Sequence, residues 1–75
     1  FFNKGMGECV ILKSNPNTKY KLVYSINGYQ FIIIYDLNEN TGSWEYGSYY
    51  GKDIDKALKN YNNILLENEI DGKER

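Results

Sequence analysis

The first fifty positions of the chain contain short apolar segments rich in β-branched and aromatic residues, and residues 43–50 alternate between apolar and polar, as half-buried strands do. With the intervening clusters of turn-forming residues, this pattern predicts four strands over residues 6–13, 19–26, 29–37 and 43–50. The second and third strands flank Asn27 and Gly28, a pair that favours the positive φ angles of a type I′ turn. We therefore expect these two strands to form a hairpin with a two-residue turn.

The two-residue turn fixes the register of the hairpin. It pairs Ile26 with Tyr29, Tyr24 with Phe31, Leu22 with Ile33 and Tyr20 with Tyr35, so these eight side chains share one face. The opposite face has an apolar centre consisting of Val23, Ile32 and Ile34. Neither face is polar, and the sequence leaves open which of them lies under a helix. The face that Trp44 joins is also left open, because the length of the preceding loop is ambiguous by one residue.

From Asp53 the apolar period changes to 3.6 residues, which is typical of an amphipathic helix. The pattern predicts a helix over residues 53–68, with Asp53 as its N-cap. Gly72 favours a stop, and residues 71–75 are expected to form a frayed tail. The apolar stripe consists of Ile54, Ala57, Leu58, Tyr61, Ile64, Leu65 and Asn68.

This order of elements predicts an α+β fold, an antiparallel meander of about four strands followed by one C-terminal helix packed on one sheet face. The 75 residues suit a single small domain, residues 1–75. A helix is about 10 to 12 Å wide and four strands span roughly 14 Å, so one helix covers only one face. We expect the second face to stay open and to carry exposed apolar side chains.

Composition narrows the class of protein. The chain is 41% hydrophobic and contains eight tyrosines, which argues for a folded domain. No apolar run approaches the ~20 residues of a membrane span, and the single cysteine, Cys9, favours a reducing compartment. We expect a soluble cytoplasmic protein, although a chain that begins with Phe1 leaves open whether an N-terminal segment was removed. Abundant Asn, Lys, Ile and Tyr suggest a low-GC bacterium, a phage or another mobile element.

The residue inventory argues against an enzyme. Histidine is absent, which excludes His-dependent triads, bases and metal ligands. Cys9 is interpreted as a small buried hydrophobe, and Glu8 and Glu45 are the remaining candidates for an acid or base near a cleft. Glycine-rich phosphate-binding motifs are also absent. We therefore predict no catalytic residues, no metal ligands and no cofactor.

Tyrosine is the residue type that points to a function, because it adds a large ring and a hydroxyl to recognition surfaces. We predict a small non-enzymatic module that binds a protein partner through an aromatic sheet face. Two alternatives stay open: a homodimeric structural protein, and a single-stranded nucleic-acid binder, which a net charge of −1 disfavours. The predicted binding residues are Tyr24, Tyr29, Trp44, Tyr46, Tyr49 and Tyr50.

Overall fold

An antiparallel sheet of five strands followed by one helix forms the fold in a computed structural model. The structure describes the backbone of residues 1–74 and the side chains of residues 1–67. Asn68 of the predicted apolar stripe and Arg75 of the predicted tail therefore lie outside the described side chains. The strands follow chain order across the sheet. The elements are β1 (Phe2–Asn3), β2 (Gly7–Ser14), β3 (Tyr20–Ser25), β4 (Gln30–Tyr35), β5 (Tyr46–Gly51) and α1 (Ile54–Glu74).

The predicted α+β fold class is confirmed, with one strand more than the sequence indicated. The four predicted strands correspond to β2 through β5. The additional strand, β1, is two residues long and pairs Phe2 with Glu8 and Asn3 with Gly7. A strand of two residues is too short to show an alternating pattern, so the sequence gives no periodic signal for it.

The central hairpin has the predicted register but a different turn. Tyr24 pairs with Phe31, Leu22 with Ile33 and Tyr20 with Tyr35, as predicted, whereas Ile26 and Tyr29 lie in the turn. The left-handed residue is Tyr29, with φ of 52°, and not Asn27 or Gly28, so the predicted type I′ turn is wrong. The buried Ser25 hydroxyl accepts a hydrogen bond from the Gly28 amide at 3.1 Å. This contact closes a wider turn over residues 26–29 without changing the strand register.

The helix α1 begins where the sequence predicts and ends later. Asp53 caps it, because its Oδ1 accepts a hydrogen bond from the Lys56 amide at 3.0 Å. The helical backbone continues through Gly72 to Glu74, so the predicted stop and the predicted tail at residues 71–74 are wrong. A glycine costs only about 1 kcal/mol inside a helix, which a long helix tolerates.

Two apolar clusters lie on the two sides of the sheet. On the side that α1 covers, which we call the helix face, Leu22 and Ile33 pack against Ala57 and Tyr61. On the opposite side, which we call the loop face, the fully buried residues are Val23, Ile32 and Ile34. The side chains that cover this second cluster are Phe1, Met6, Leu37 and Trp44.

The expectation that the second face stays open is therefore wrong. The chain before β2 and the loop between β4 and β5 fold back over the loop face. Gly42 makes their contact possible, because a Cβ at this position would lie 1.8 Å from the Phe2 carbonyl oxygen. The Asn3 side-chain amide donates to the Gly42 carbonyl at 2.8 Å and holds the two segments together.

Candidate functional site

Two of the predicted binding residues are packing residues. Tyr50 packs beneath α1, where its hydroxyl accepts a hydrogen bond from the Asn60 side chain at 3.0 Å. Trp44 lies before β5 and joins the loop face, where its ring meets Phe1 edge to face at a centroid distance of 6.2 Å. Gly47 leaves room for the indole, since a Cβ there would lie 3.3 Å from the indole nitrogen. Both side chains are half-buried and present little surface to a partner.

Tyr46 and Tyr49 are exposed, but on opposite faces of the sheet. Tyr46 pairs with Tyr35 on the helix face, and Tyr49 pairs with Ile32 on the loop face. A flat partner surface cannot contact both faces at once. The predicted single aromatic face is therefore divided, and Tyr49 lies outside the clusters described next.

A tyrosine cluster occupies one end of the helix face, on neighbouring strands. Its members are Tyr20, Tyr35 and Tyr46. The rings of Tyr35 and Tyr46 stack with an interplanar angle of 10° and a centroid distance of 5.0 Å. The hydroxyls of Tyr20 and Tyr46 are 3.3 Å apart, and this hydrogen bond, assisted by burial, raises the pKa of Tyr20 to about 12. All three rings contact one another, and Tyr46 is still 56% exposed.

The other end of the helix face contains an apolar groove. Its floor is the pair Tyr24 and Phe31, whose ring centroids are 4.8 Å apart. The groove encloses about 460 Å³ and contains a single charged side chain, Lys52. Leu12 and Tyr29 line its rim with exposed fractions of 44% and 65%. We call this site the β2 groove, and its lining is Leu12, Tyr24, Tyr29, Phe31 and Lys52.

The β2 groove exists because α1 does not reach β2. In the described part of the chain, the helix packs on β3, β4 and β5 only. The helix follows β5 directly, so it crosses the sheet from the β5 side. A bulge between Ile11 and Lys13 inserts Leu12 as an extra residue, and its side chain reaches the same groove as Tyr24. Val10, which pairs with Tyr24, extends the exposed apolar surface along the strand.

No protein-family model, curated protein or solved structure matches this chain. No helix among the described residues has the length and apolar character that crossing a bilayer requires.

Charge is distributed unevenly around the β2 groove. Residues 9–35, which include β3, β4 and all of β2 except Gly7 and Glu8, carry three lysines and no acidic residue. Residues 36–75 carry five basic residues against nine acidic ones. Lys13 lies in β2 and Lys52 lines the groove, so the exposed apolar surface has a positive rim although the whole chain has a formal charge of −1.

The candidates for chemistry do not form a site. Cys9 is buried on the loop face, where burial raises the pKa of its thiol and its Sγ donates to the Gly7 carbonyl at 3.6 Å. Glu8 and Glu45 are exposed. Among the described side chains, no group of three or more Cys, Asp or Glu residues lies close enough together to hold a metal ion.

Sequence reasoning named Tyr24 and Tyr29, which line the β2 groove, but not the exposed aliphatic residues beside them, Val10 and Leu12. One signal could have found them. A helix that directly follows the last strand of a meander begins at that edge of the sheet, so the first long strand is the one it is least able to cover. Apolar residues in the first long strand of such a meander therefore indicate an exposed apolar surface.

Proposed function

We propose that this chain is a small non-enzymatic protein-binding module whose contact surface is the β2 groove together with Val10. The supporting observation is the clustering of exposed apolar side chains at one corner of the sheet. Val10 and Leu12 are exposed to 43% and 44%. Monomeric proteins rarely expose contiguous apolar surface of this kind unless it binds something.

The composition of the groove also fits recognition of a protein. Interfaces are enriched in Tyr and Phe at their centres and depleted of charge there. The β2 groove has this composition, with two tyrosines and one phenylalanine around an apolar floor and a lysine at the rim. Tyr29 extends from the turn between β3 and β4, so its ring can close over a bound side chain.

The test is a selection of random peptides displayed on phage or ribosomes against the immobilised domain, followed by affinity measurement of the enriched sequences. We expect enriched peptides to lose binding by at least tenfold in Leu12→Asp, because a carboxylate at the rim must be desolvated beneath an apolar ligand. The matched control is Leu66→Asp, since Leu66 is exposed to 56% on α1. It should leave the affinity unchanged.

Two results would contradict the proposed function. One is the absence of enrichment over an unrelated domain. The other is equal loss of affinity in the Leu12 and Leu66 variants. Self-association through the groove is tested by sedimentation of the wild-type chain at micromolar concentration. A dimer that dissociates in Leu12→Asp would show that the groove binds a second copy of this chain instead of a different partner.

A further inference from the structure

We infer that Asn27 is a site of spontaneous deamidation and that the Ser25 hydroxyl limits the rate of this reaction in the folded chain. The inference is independent of the proposed function. It combines three observations: the pair Asn27 and Gly28 in the turn between β3 and β4, the exposure of both residues, and the hydrogen bond that the Gly28 amide makes.

Deamidation is a reaction between the backbone and the asparagine side chain. The Gly28 nitrogen loses its proton to a base in the solvent and attacks Cγ of Asn27. The new N–Cγ bond closes a succinimide ring, the Cγ–Nδ2 bond breaks, and Nδ2 leaves as ammonia after taking up a proton. Water then opens the ring at either carbonyl and leaves aspartate or isoaspartate at position 27.

The residue that follows an asparagine decides how fast it reacts. A side chain on that residue shields the attacking nitrogen, and glycine has none. Asn27 is the only asparagine in the sequence that precedes a glycine. Asn40 is also exposed, but the β-branched Thr41 follows it. The sequence therefore confines fast deamidation to the turn between β3 and β4.

The fold keeps this pair of residues reactive. Asn27 and Gly28 are both exposed, so base and water reach them. The Asn27 side chain packs against Gly7, where an added Cβ would lie 2.7 Å from Nδ2, and it makes no hydrogen bond to any described residue. The turn itself requires the glycine, because a Cβ at Gly28 would lie 2.8 Å from the Ser25 Oγ.

The Ser25 hydroxyl opposes the reaction. It accepts a hydrogen bond from the Gly28 amide at 3.1 Å, and it is held in place by donating to the Met6 carbonyl at 3.1 Å. The Gly28 amide must leave this acceptor before it can lose its proton and turn towards Cγ of Asn27, so only a locally opened turn reacts. A hydrogen bond of this kind lowers the opened fraction by about three- to tenfold.

Timed incubation of the full chain in mildly alkaline buffer tests the site. Peptide mapping by mass spectrometry locates the modified residue, and an isoaspartate-specific methyltransferase measures the isoaspartate formed. We expect product at position 27 that accumulates faster as the pH rises, because the deprotonated amide is the nucleophile. Asn40 is the matched control within the chain and should stay intact. Modification of Asn27 no faster than that of Asn40 would overturn the inference.

Removing the hydroxyl tests the protective role of Ser25. Ser25→Ala should speed deamidation at position 27 by about three- to tenfold. The matched control is Tyr61→Phe, which removes one hydrogen bond beneath α1 without touching the turn, and it should leave the rate unchanged. Equal acceleration in the two variants would mean that the reaction proceeds through global unfolding. That result, or no acceleration in Ser25→Ala, would overturn the role assigned to Ser25.

The wild-type chain provides the same test without a substitution. Unfolding in urea frees the Gly28 amide, so deamidation at position 27 should be faster than in the folded chain by about threefold or more. Equal rates in the folded and unfolded chain would show that the turn gives no protection and would overturn the inference. Isoaspartate adds a methylene to the backbone between residues 27 and 28, so the NMR signals of Gly28 and Tyr29 should move as the folded chain ages.

Discussion

The two faces of the sheet are covered in different ways. The helix face is covered by one regular element, whose backbone hydrogen bonds are satisfied within the helix itself. The loop face is covered by two irregular segments, which depend on specific contacts such as the Asn3 side-chain amide with the Gly42 carbonyl and the Ser25 hydroxyl with the Met6 carbonyl at 3.1 Å. A helical cover is therefore fixed mainly by packing, whereas the loop cover is fixed by a few positions where no other residue fits.

The two covers also differ in which apolar side chains of the sheet they bury and which they leave exposed. The irregular cover buries Val23, Ile32 and Ile34 completely. The helix leaves Leu12 and Tyr29 exposed at the β2 corner. A rigid rod covers a strip of fixed width, while a flexible segment can follow the sheet surface. Ile11 and Tyr49 are exposed on the loop face as well, but the apolar groove lies on the helix face, which is why we propose the binding surface there.

Replacing Tyr61 tests the helix cover and should have the largest effect. Its side chain is 1% exposed and packs against Leu22 and Ile33. Tyr61→Ala should lower the free energy of unfolding by about 4 kcal/mol, the usual cost of truncating a buried aromatic ring. Urea unfolding measures this. Tyr61→Phe removes only the hydrogen bond to the Tyr20 carbonyl, which is 3.3 Å long, and should cost about 1 kcal/mol. Similar losses in the two variants would show that ring packing does not hold α1 in place.

Replacing Gly42 tests the loop cover at its closest approach. Gly42 has φ of +75°, and an added Cβ would lie 1.8 Å from the Phe2 backbone oxygen. Gly42→Ala combines left-handed strain with a clash against backbone, so we expect a loss of about 3 kcal/mol. The matched control is Gly51→Ala. Gly51 has φ of +60° but no atom within 4 Å of the added Cβ, so only the strain of about 1 kcal/mol applies. Equal losses would mean that the two covering segments separate without cost.

The fold was largely predictable because its main elements carry strong local patterns. The short turn at Asn27 and Gly28 predicted the correct register of β3 and β4, because a turn over residues 26–29 leaves the same residues paired. The cap at Asp53 followed from its place before an apolar helical stripe. The turn was misjudged because a tertiary contact, the buried Ser25 hydroxyl, overrides the local preference of Asn27 and Gly28.

The closure of the loop face was not predictable from local pattern. It depends on β1, which is too short to show a period, and on Gly42, whose importance appears only when its distance to Phe2 is known. The lining of the β2 groove was likewise predicted only in part. Tyrosine content pointed to Tyr24 and Tyr29, but the path of α1 across the sheet decides that Val10 and Leu12 stay uncovered beside them.

Replacing Ser25 tests how the loop cover is joined to the central hairpin. The fully buried hydroxyl donates to the Met6 carbonyl and accepts from the Gly28 amide. Ser25→Ala leaves both partners without this hydrogen bond, so we expect a loss of about 1 to 2 kcal/mol in urea unfolding. Ser48→Ala, at an exposed position of β5, should change stability by less than about 0.5 kcal/mol. A neutral effect at Ser25 would show that water replaces the hydroxyl.

The smallest effect is expected in the tyrosine cluster, at the end of the helix face opposite the β2 groove. The hydrogen bond with Tyr46 raises the pKa of Tyr20 to about 12, above the ordinary value of about 10. The folded chain therefore holds this proton more tightly than the unfolded chain. The resulting stability is fully present below about pH 10 and is lost as the pH rises towards 12. Tyr46→Phe should lower the Tyr20 pKa, which an NMR titration of the tyrosine ring carbons measures. The free energy of unfolding should then depend less on pH in this range. Tyr49→Phe, on the opposite face, should leave the pKa of Tyr20 where it is. An unchanged Tyr20 pKa in Tyr46→Phe would mean that the two hydroxyls do not share a hydrogen bond in solution.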